Sequence, residues 1–82
     1  MKYKVGDKVK IRADLVEGEW YGYEYFSKYM KKFLGKVCTI SDINEHTYIL
    51  EEDDESIKWY WSDEMIERRI EDEVWSRWQG KD

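Results

Sequence analysis

The sequence contains no proline, one cysteine and one histidine among its 82 residues. A lone cysteine, Cys38, cannot close a disulfide within the chain, which favours a reducing compartment. No stretch approaches the roughly 20 consecutive apolar residues that a membrane-spanning helix needs. The first residues also lack the apolar core of a secretion signal. We therefore predict a cytoplasmic location and no contact with a membrane.

Groups that carry catalysis or bind metals are also scarce. His46 is the only imidazole and stands in a predicted turn, while Cys38 lies in an apolar strand pattern where burial makes a thiol inert. The carboxylates of residues 51–55 lack the spacing and the glycine of a calcium loop, so a solvated acidic loop is expected there. The glycines fit neither a phosphate-binding loop nor a dinucleotide fingerprint. The sequence therefore predicts no enzyme, no cofactor and no metal site.

The chain is instead rich in aromatic and charged residues. Aromatic residues make up 17% of the chain and charged residues 40%, with a net charge of −5. Residues 1–36 carry nine basic and five acidic side chains, a net of +4, whereas residues 37–82 carry five and fourteen, a net of −9. Two interpretations stay open: the halves pair across the surface of the fold, or they form separate basic and acidic faces.

The length allows one small domain, and alternating apolar residues predict that it is mainly β. Residues 8–13 alternate basic with apolar side chains, so Val9, Ile11 and Ala13 are predicted to point inward. Further strands are predicted at residues 36–43, 47–51, 57–61 and 66–70. The strand at 57–61 would place Ile57, Trp59 and Trp61 on one face. We predict Trp61 to be a core tryptophan.

Two short helical segments interrupt the strands. Ser27 as N-cap and Gly35 just past the end bracket a short helix at residues 28–34. Ser62 is predicted to cap a single helical turn at residues 63–65. Turns are predicted at residues 44–46 and at the acidic tip 52–56.

This order of a long early loop, a three-strand meander, a helical turn and a short last strand resembles the SH3-like barrels. More narrowly, VGDKVKIR at 5–12, GKVCTI at 35–40 and WYWSDEM at 59–65 resemble small barrel proteins of Bacillus and its phages. The resemblance implies a small SH3-like barrel of about five strands over residues 1–70 and a prophage origin, but no activity. Residues 71–82 form a charged tail with Val74, Trp75 and Trp78, either docked on the barrel or disordered.

The first functional hypothesis is an aromatic surface that binds a protein or a peptide. An extended segment 20–26 would place Tyr21, Tyr23 and Tyr25 on one side and Trp20 and Phe26 on the other. The run Tyr23-Glu24-Tyr25 resembles the Tyr-Asp-Tyr run of peptide-binding SH3 domains. The alternative is that these rings fill a core with few aliphatic residues. The predicted partner-binding residues are Trp20, Tyr21, Tyr23, Tyr25 and Tyr60.

The second hypothesis is a basic face that binds nucleic acid, with phosphates on lysines and bases stacked on tyrosines. Its predicted residues are Lys8, Lys10, Arg12, Lys31 and Lys32, with Lys28 and Lys36 nearby. The net charge of −5 opposes long-range attraction to a polyanion. A protein partner is therefore preferred over nucleic acid, and the domain is expected to be a monomer.

Overall fold

The structure, a computed structural model, describes residues 2–71 and is mainly β, as the alternation predicted. Two short 3₁₀ helices, Lys28–Phe33 and Asp63–Met65, join the strands. The strands are β1 (Lys8–Ile11), β2 (Trp20–Tyr21), β3 (Glu24–Tyr25), β4 (Val37–Asn44), β5 (Thr47–Leu50) and β6 (Ile66–Ile70). No helix within this part of the chain is long and apolar enough to cross a membrane. Apart from Glu71, the predicted tail at 71–82 lies outside the described residues.

Four strands form one antiparallel sheet in the order β5-β4-β1-β6, and β2 and β3 form a separate hairpin. β1 lies inside the sheet because both of its edges are paired: Val9 is opposite Cys38 of β4 and opposite Arg69 of β6. Val9 and Ile11 are fully buried, as predicted. Within residues 2–71 no pairing joins β5 to β6, so the sheet of the predicted barrel is open and does not close.

The predicted strand at 57–61 is reduced to one residue. Trp61 forms a two-bond bridge with Tyr48 of β5, with backbone N···O distances of 2.7 and 3.0 Å. Ile57 is 79% exposed, and Trp59 is only half-buried. These residues therefore share no buried strand face, contrary to the prediction.

The cause lies in the acidic segment before them. Asp53 is fully buried, not solvated as predicted. Its carboxylate accepts hydrogen bonds from the backbone N–H groups of Glu55 at 3.2 Å and Trp59 at 2.8 Å. Because these backbone groups bond to a side chain, they are unavailable for a strand ladder, and the segment forms a loop.

Trp61 lies at the centre of the core and is fully buried, as predicted. Its ring makes edge contacts with Phe33 at 5.5 Å and with Phe26 at 6.3 Å between centroids. Cys38 is also buried, as expected of a packed thiol. Ala13 is exposed and not inward as predicted, because β1 ends at Ile11 and strand alternation no longer applies beyond it. The remaining core residues are Val9, Ile11, Leu15, Met30, Ile40, Tyr48, Leu50, Met65 and Ile66.

The two serines before the 3₁₀ helices behave differently. Ser27 caps the first helix as predicted, since its hydroxyl accepts a hydrogen bond from the Tyr29 N–H at 3.2 Å. Ser62 makes no capping bond; its buried hydroxyl donates instead to the backbone carbonyl of Tyr21 at 2.6 Å. This bond holds the β2–β3 hairpin against the second 3₁₀ helix.

Candidate functional site

The β2–β3 hairpin divides the predicted tyrosine face. Gly22, with φ +64°, lies in the turn between the strands, and Trp20 pairs with Tyr25 across the hairpin. Directly opposed residues of an antiparallel pair share a face, and the Trp20 and Tyr25 rings meet edge-on at 5.5 Å. The segment is therefore not one extended ribbon. The predicted placement of Trp20 on the side opposite Tyr25 is wrong.

Tyr21 has a structural position in this hairpin. Its ring is half-buried against the core, and the Arg12 guanidinium lies 5.4 Å from the ring centroid. Its hydroxyl accepts a hydrogen bond from the Val16 N–H at 2.8 Å. Tyr21 therefore fastens the hairpin to the preceding loop and offers little of its ring to a partner.

Tyr23 and Tyr60, two other predicted partner-binding residues, line one open groove of about 520 Å³ between the β2–β3 turn and the β4–β5 turn. Tyr23 is 70% exposed and Tyr60 is 48% exposed. The Tyr23 ring stacks on His46, with 4.7 Å between centroids and 23° between planes. The other lining residues are Glu24, Asn44, Glu45 and Thr47. Trp20 and Tyr25 do not line this groove, although both rings are exposed.

The walls of the groove are held by contacts behind the hairpin. The Ser62 hydroxyl bonds to the Tyr21 carbonyl, and the Phe26 N–H donates to the Glu19 carbonyl at 2.9 Å. A side chain at Gly22 would overlap the Glu64 carboxylate, so the turn lies directly against the second 3₁₀ helix. Glu45, with φ +43°, makes the tight β4–β5 turn that forms the opposite wall.

Two carboxylates belong to the groove without a cationic partner in the described chain. Within residues 2–71 no basic side chain lies within 4.0 Å of Glu24 or Glu45. Burial of the Glu24 carboxyl raises its pKa above the ordinary glutamate value. Glu17 lies outside the groove and shows the opposite behaviour, because its hydrogen bond to Lys31 lowers its pKa. The groove therefore has a negative charge that the described part of the chain leaves uncompensated.

The predicted nucleic-acid residues are mostly in ion pairs. The N···O distance is 3.8 Å for Lys10 and Glu67, 2.9 Å for Arg12 and Asp14, 2.8 Å for Lys31 and Glu17, and 3.0 Å for Lys32 and Glu55. The Arg12 guanidinium also donates to the Glu64 carbonyl at 2.8 Å. Lys8 is exposed on β1. Of the seven ion pairs within residues 2–71, two, those of Lys10 and Lys32, join the basic half of the sequence to the acidic half, and five lie within one half.

A second aromatic cleft lies on a different part of the surface. Tyr29 and Trp59 stack with 5.9 Å between centroids and 11° between planes. With the Lys32–Glu55 pair they line a cleft of about 380 Å³. No local sequence pattern indicates this cleft, because its two rings come from a helix and a loop 30 residues apart.

Two observations on the described residues bear on metal binding and on the reactivity of the Cys38 thiol. Among residues 2–71 no group of three or more His, Cys, Asp or Glu side chains could hold a metal ion. Burial raises the pKa of the Cys38 thiol to about 11, with the nearby Glu52 charge adding to the effect.

Comparisons of the chain with protein-family models, with curated proteins and with solved structures found no match.

Proposed function

We propose that this chain is a non-enzymatic interaction module that binds an extended segment of a protein partner in the groove of Tyr23, His46 and Tyr60. The supporting observation is that three rings from separate segments converge on one open groove while all three stay exposed. Exposed aromatic clusters mark binding surfaces, because they leave apolar area in water unless a partner covers it. Aromatic side chains also dominate the few positions that carry interface energy.

The proposal extends to the fold and the setting. An SH3-like relationship is supported by the pairing of β1 with both β4 and β6 and by the Tyr48–Trp61 bridge, which extends the sheet past β5. The long loop between β1 and β4 carries the β2–β3 hairpin, in agreement with the resemblance to SH3-like proteins. We place the domain in a reducing cytoplasm, as a monomer of prophage type, on the basis of its single cysteine and that same resemblance.

The test uses the full chain as bait for a displayed library of random eight-residue peptides. Selected peptides are then measured against Y23A and Y60A by fluorescence polarisation. Loss of a central aromatic anchor costs about 2 kcal/mol, so we expect roughly 30-fold weaker binding. Tyr29→Ala is the matched control, because Tyr29 is 60% exposed but lies outside the groove. Peptides that bind Y23A and Y60A as tightly as the parent would refute the groove.

Binding of nucleic acid through Lys8, Lys10, Arg12, Lys31 and Lys32 is the alternative. It has less support, because four of these side chains lie within 4.0 Å of a carboxylate. Each pair would have to open before its cation could reach a phosphate. If several phosphates were neutralised, affinity for a single strand would fall by orders of magnitude from about 50 to about 200 mM salt. Absence of binding to a labelled oligonucleotide at low salt excludes the alternative.

A further inference from the structure

We propose that the occupant of the groove is a positively charged segment, whose lysine or arginine side chain lies along Tyr23 and Tyr60 and faces the carboxylates of Glu24 and Glu45. This inference rests on the proposed function, because it names the chemistry of the segment that the groove binds.

The carboxylates of the groove have no ion-pair partner within the described residues. Within residues 2–71, six of the sixteen carboxylates, among them Asp14, Glu17 and Glu55, lie within 4.0 Å of a basic side chain. Neither Glu24 nor Glu45 has such a neighbour within residues 2–71, and both line the groove. A cation on the partner would supply the missing charge.

Glu24 is also partly buried. Its side chain is half-buried at the edge of the hairpin, and its pKa is raised because burial disfavours the charged form. A carboxylate that has lost part of its hydration interacts more strongly with a nearby cation than a fully hydrated one does. A cation in the groove would thus stabilise the ionised form of Glu24, and it would bind more tightly there than on an open surface.

The aromatic rings of the groove are suited to hold a cation. The face of a tyrosine ring attracts a cation placed within about 6 Å of its centroid. This chain already forms such contacts, with Arg12 over Tyr21 at 5.4 Å and Lys28 over Tyr29 at 5.3 Å. Tyr23 has one ring face against His46 and remains 70% exposed, so much of its ring is open to a second contact. A groove of about 520 Å³ has room for one long side chain and its neighbours.

An acidic segment or a nucleic-acid backbone fits this groove poorly. Each would bring negative charge against Glu24 and Glu45 and would lose its own hydration without gaining an opposite charge. The charge of the groove therefore selects for a basic partner and against a polyanion.

The experiment scores the composition of the peptides selected on the full chain. We expect lysine and arginine to be enriched severalfold over the unselected library, and a selected basic peptide to bind more weakly as salt is raised. We expect the double variant E24Q/E45Q to bind that peptide about threefold to 20-fold more weakly. The control is E51Q, because Glu51 is an exposed carboxylate outside the groove; it should bind like the parent.

Two different failures are distinguishable. Selected peptides that bind in a Tyr23-dependent way but show no enrichment of lysine or arginine, or that bind E24Q/E45Q as tightly as the parent, overturn the basic partner and leave the groove intact. Peptides that bind Y23A and Y60A like the parent overturn the proposed function itself. Thermal unfolding of E24Q/E45Q by circular dichroism confirms that weaker binding does not come from loss of the fold.

Discussion

Replacing Trp61 by alanine tests whether one buried ring organises this small core. The Trp61 side chain is fully buried and makes edge contacts with both Phe33 and Phe26. Truncating a buried tryptophan costs about 3–5 kcal/mol. A domain of about 70 residues has a free energy of unfolding of roughly 4–10 kcal/mol. We therefore expect W61A to lose roughly half of the parent's free energy of unfolding and to unfold at a much lower urea concentration.

The assay is urea unfolding followed by far-ultraviolet circular dichroism, which does not depend on tryptophan emission. Trp20→Ala is the matched control: Trp20 is 67% exposed, so the same chemical change should alter the free energy of unfolding by no more than about 0.5 kcal/mol. A urea midpoint of W61A equal to that of the parent would show that the core does not depend on this ring.

A second replacement separates the ring from its N–H group. Within the described residues, Trp61 Nε1 is buried without a hydrogen-bond partner. An unsatisfied buried donor costs about 1–3 kcal/mol, and phenylalanine removes it while keeping an aromatic ring. We therefore expect the free energy of unfolding of W61F to lie within about 1.5 kcal/mol of the parent's. A loss as large as that of W61A would mean that the full size of the indole is required.

Three further predictions concern single groups. Cys38, whose pKa is raised to about 11, should be about one part in 1,000 thiolate at pH 8, so it should not react with a disulfide reagent until urea unfolds the chain. Tyr48, whose pKa burial and the hydrogen bond to Asp63 raise to about 12, should stabilise the fold fully below pH 10 and lose that contribution as the pH rises toward 12. Tyr48→Phe should cost about 1–3 kcal/mol and flatten this alkaline dependence in urea titrations; an unchanged profile would contradict the assignment. Gly22→Ala should cost about 1–2 kcal/mol in the same titrations and weaken peptide binding. Gly6→Ala, also at positive φ but with no atom within 4 Å of the added carbon, should leave peptide binding unchanged, and equal binding losses in both would argue against a role of the hairpin turn.

The strands of the main sheet could be predicted because their signal is local. The alternation of residues 8–11 and the β-branched run at 37–43 each report one buried face within a few residues. The Ser27 cap is equally local, since its bond reaches only two residues along the chain. These elements needed no knowledge of distant partners.

The loop at 51–60 could not be predicted from the same signals. A run of carboxylates indicates solvent, and Asp53 contradicts this only because its oxygens satisfy backbone N–H groups of the chain that follows it. The alternation of Ile57, Trp59 and Trp61 predicted a strand, but the side-chain hydrogen bonds of Asp53 compete with strand pairing. Nothing in the sequence distinguishes Asp53 from its acidic neighbours.

The candidate site was predicted in part. Tyr23 and Tyr60 were named from the sequence, whereas His46 and Glu45 were missed because they meet the hairpin only through contacts between distant segments. Gly22 was a local turn signal within the aromatic segment. The turn signal of Gly22 by itself predicts a hairpin there. A hairpin separates Tyr21 from Tyr23, whereas the alternation placed them on one side.

The position of β1 in the sheet has a consequence for how the chain is made. β1 is synthesised before both of its sheet neighbours, β4 and β6, which begin at Val37 and Ile66. On the ribosome, both edges of β1 are therefore unpaired until β4 has emerged, and one edge stays unpaired until β6 has emerged, so the nascent chain cannot complete its sheet before residue 70 is available. Pairing between residues so distant in sequence also slows folding relative to helical domains of this size. During translation the unpaired edge of β1 is open to unwanted pairing with other chains.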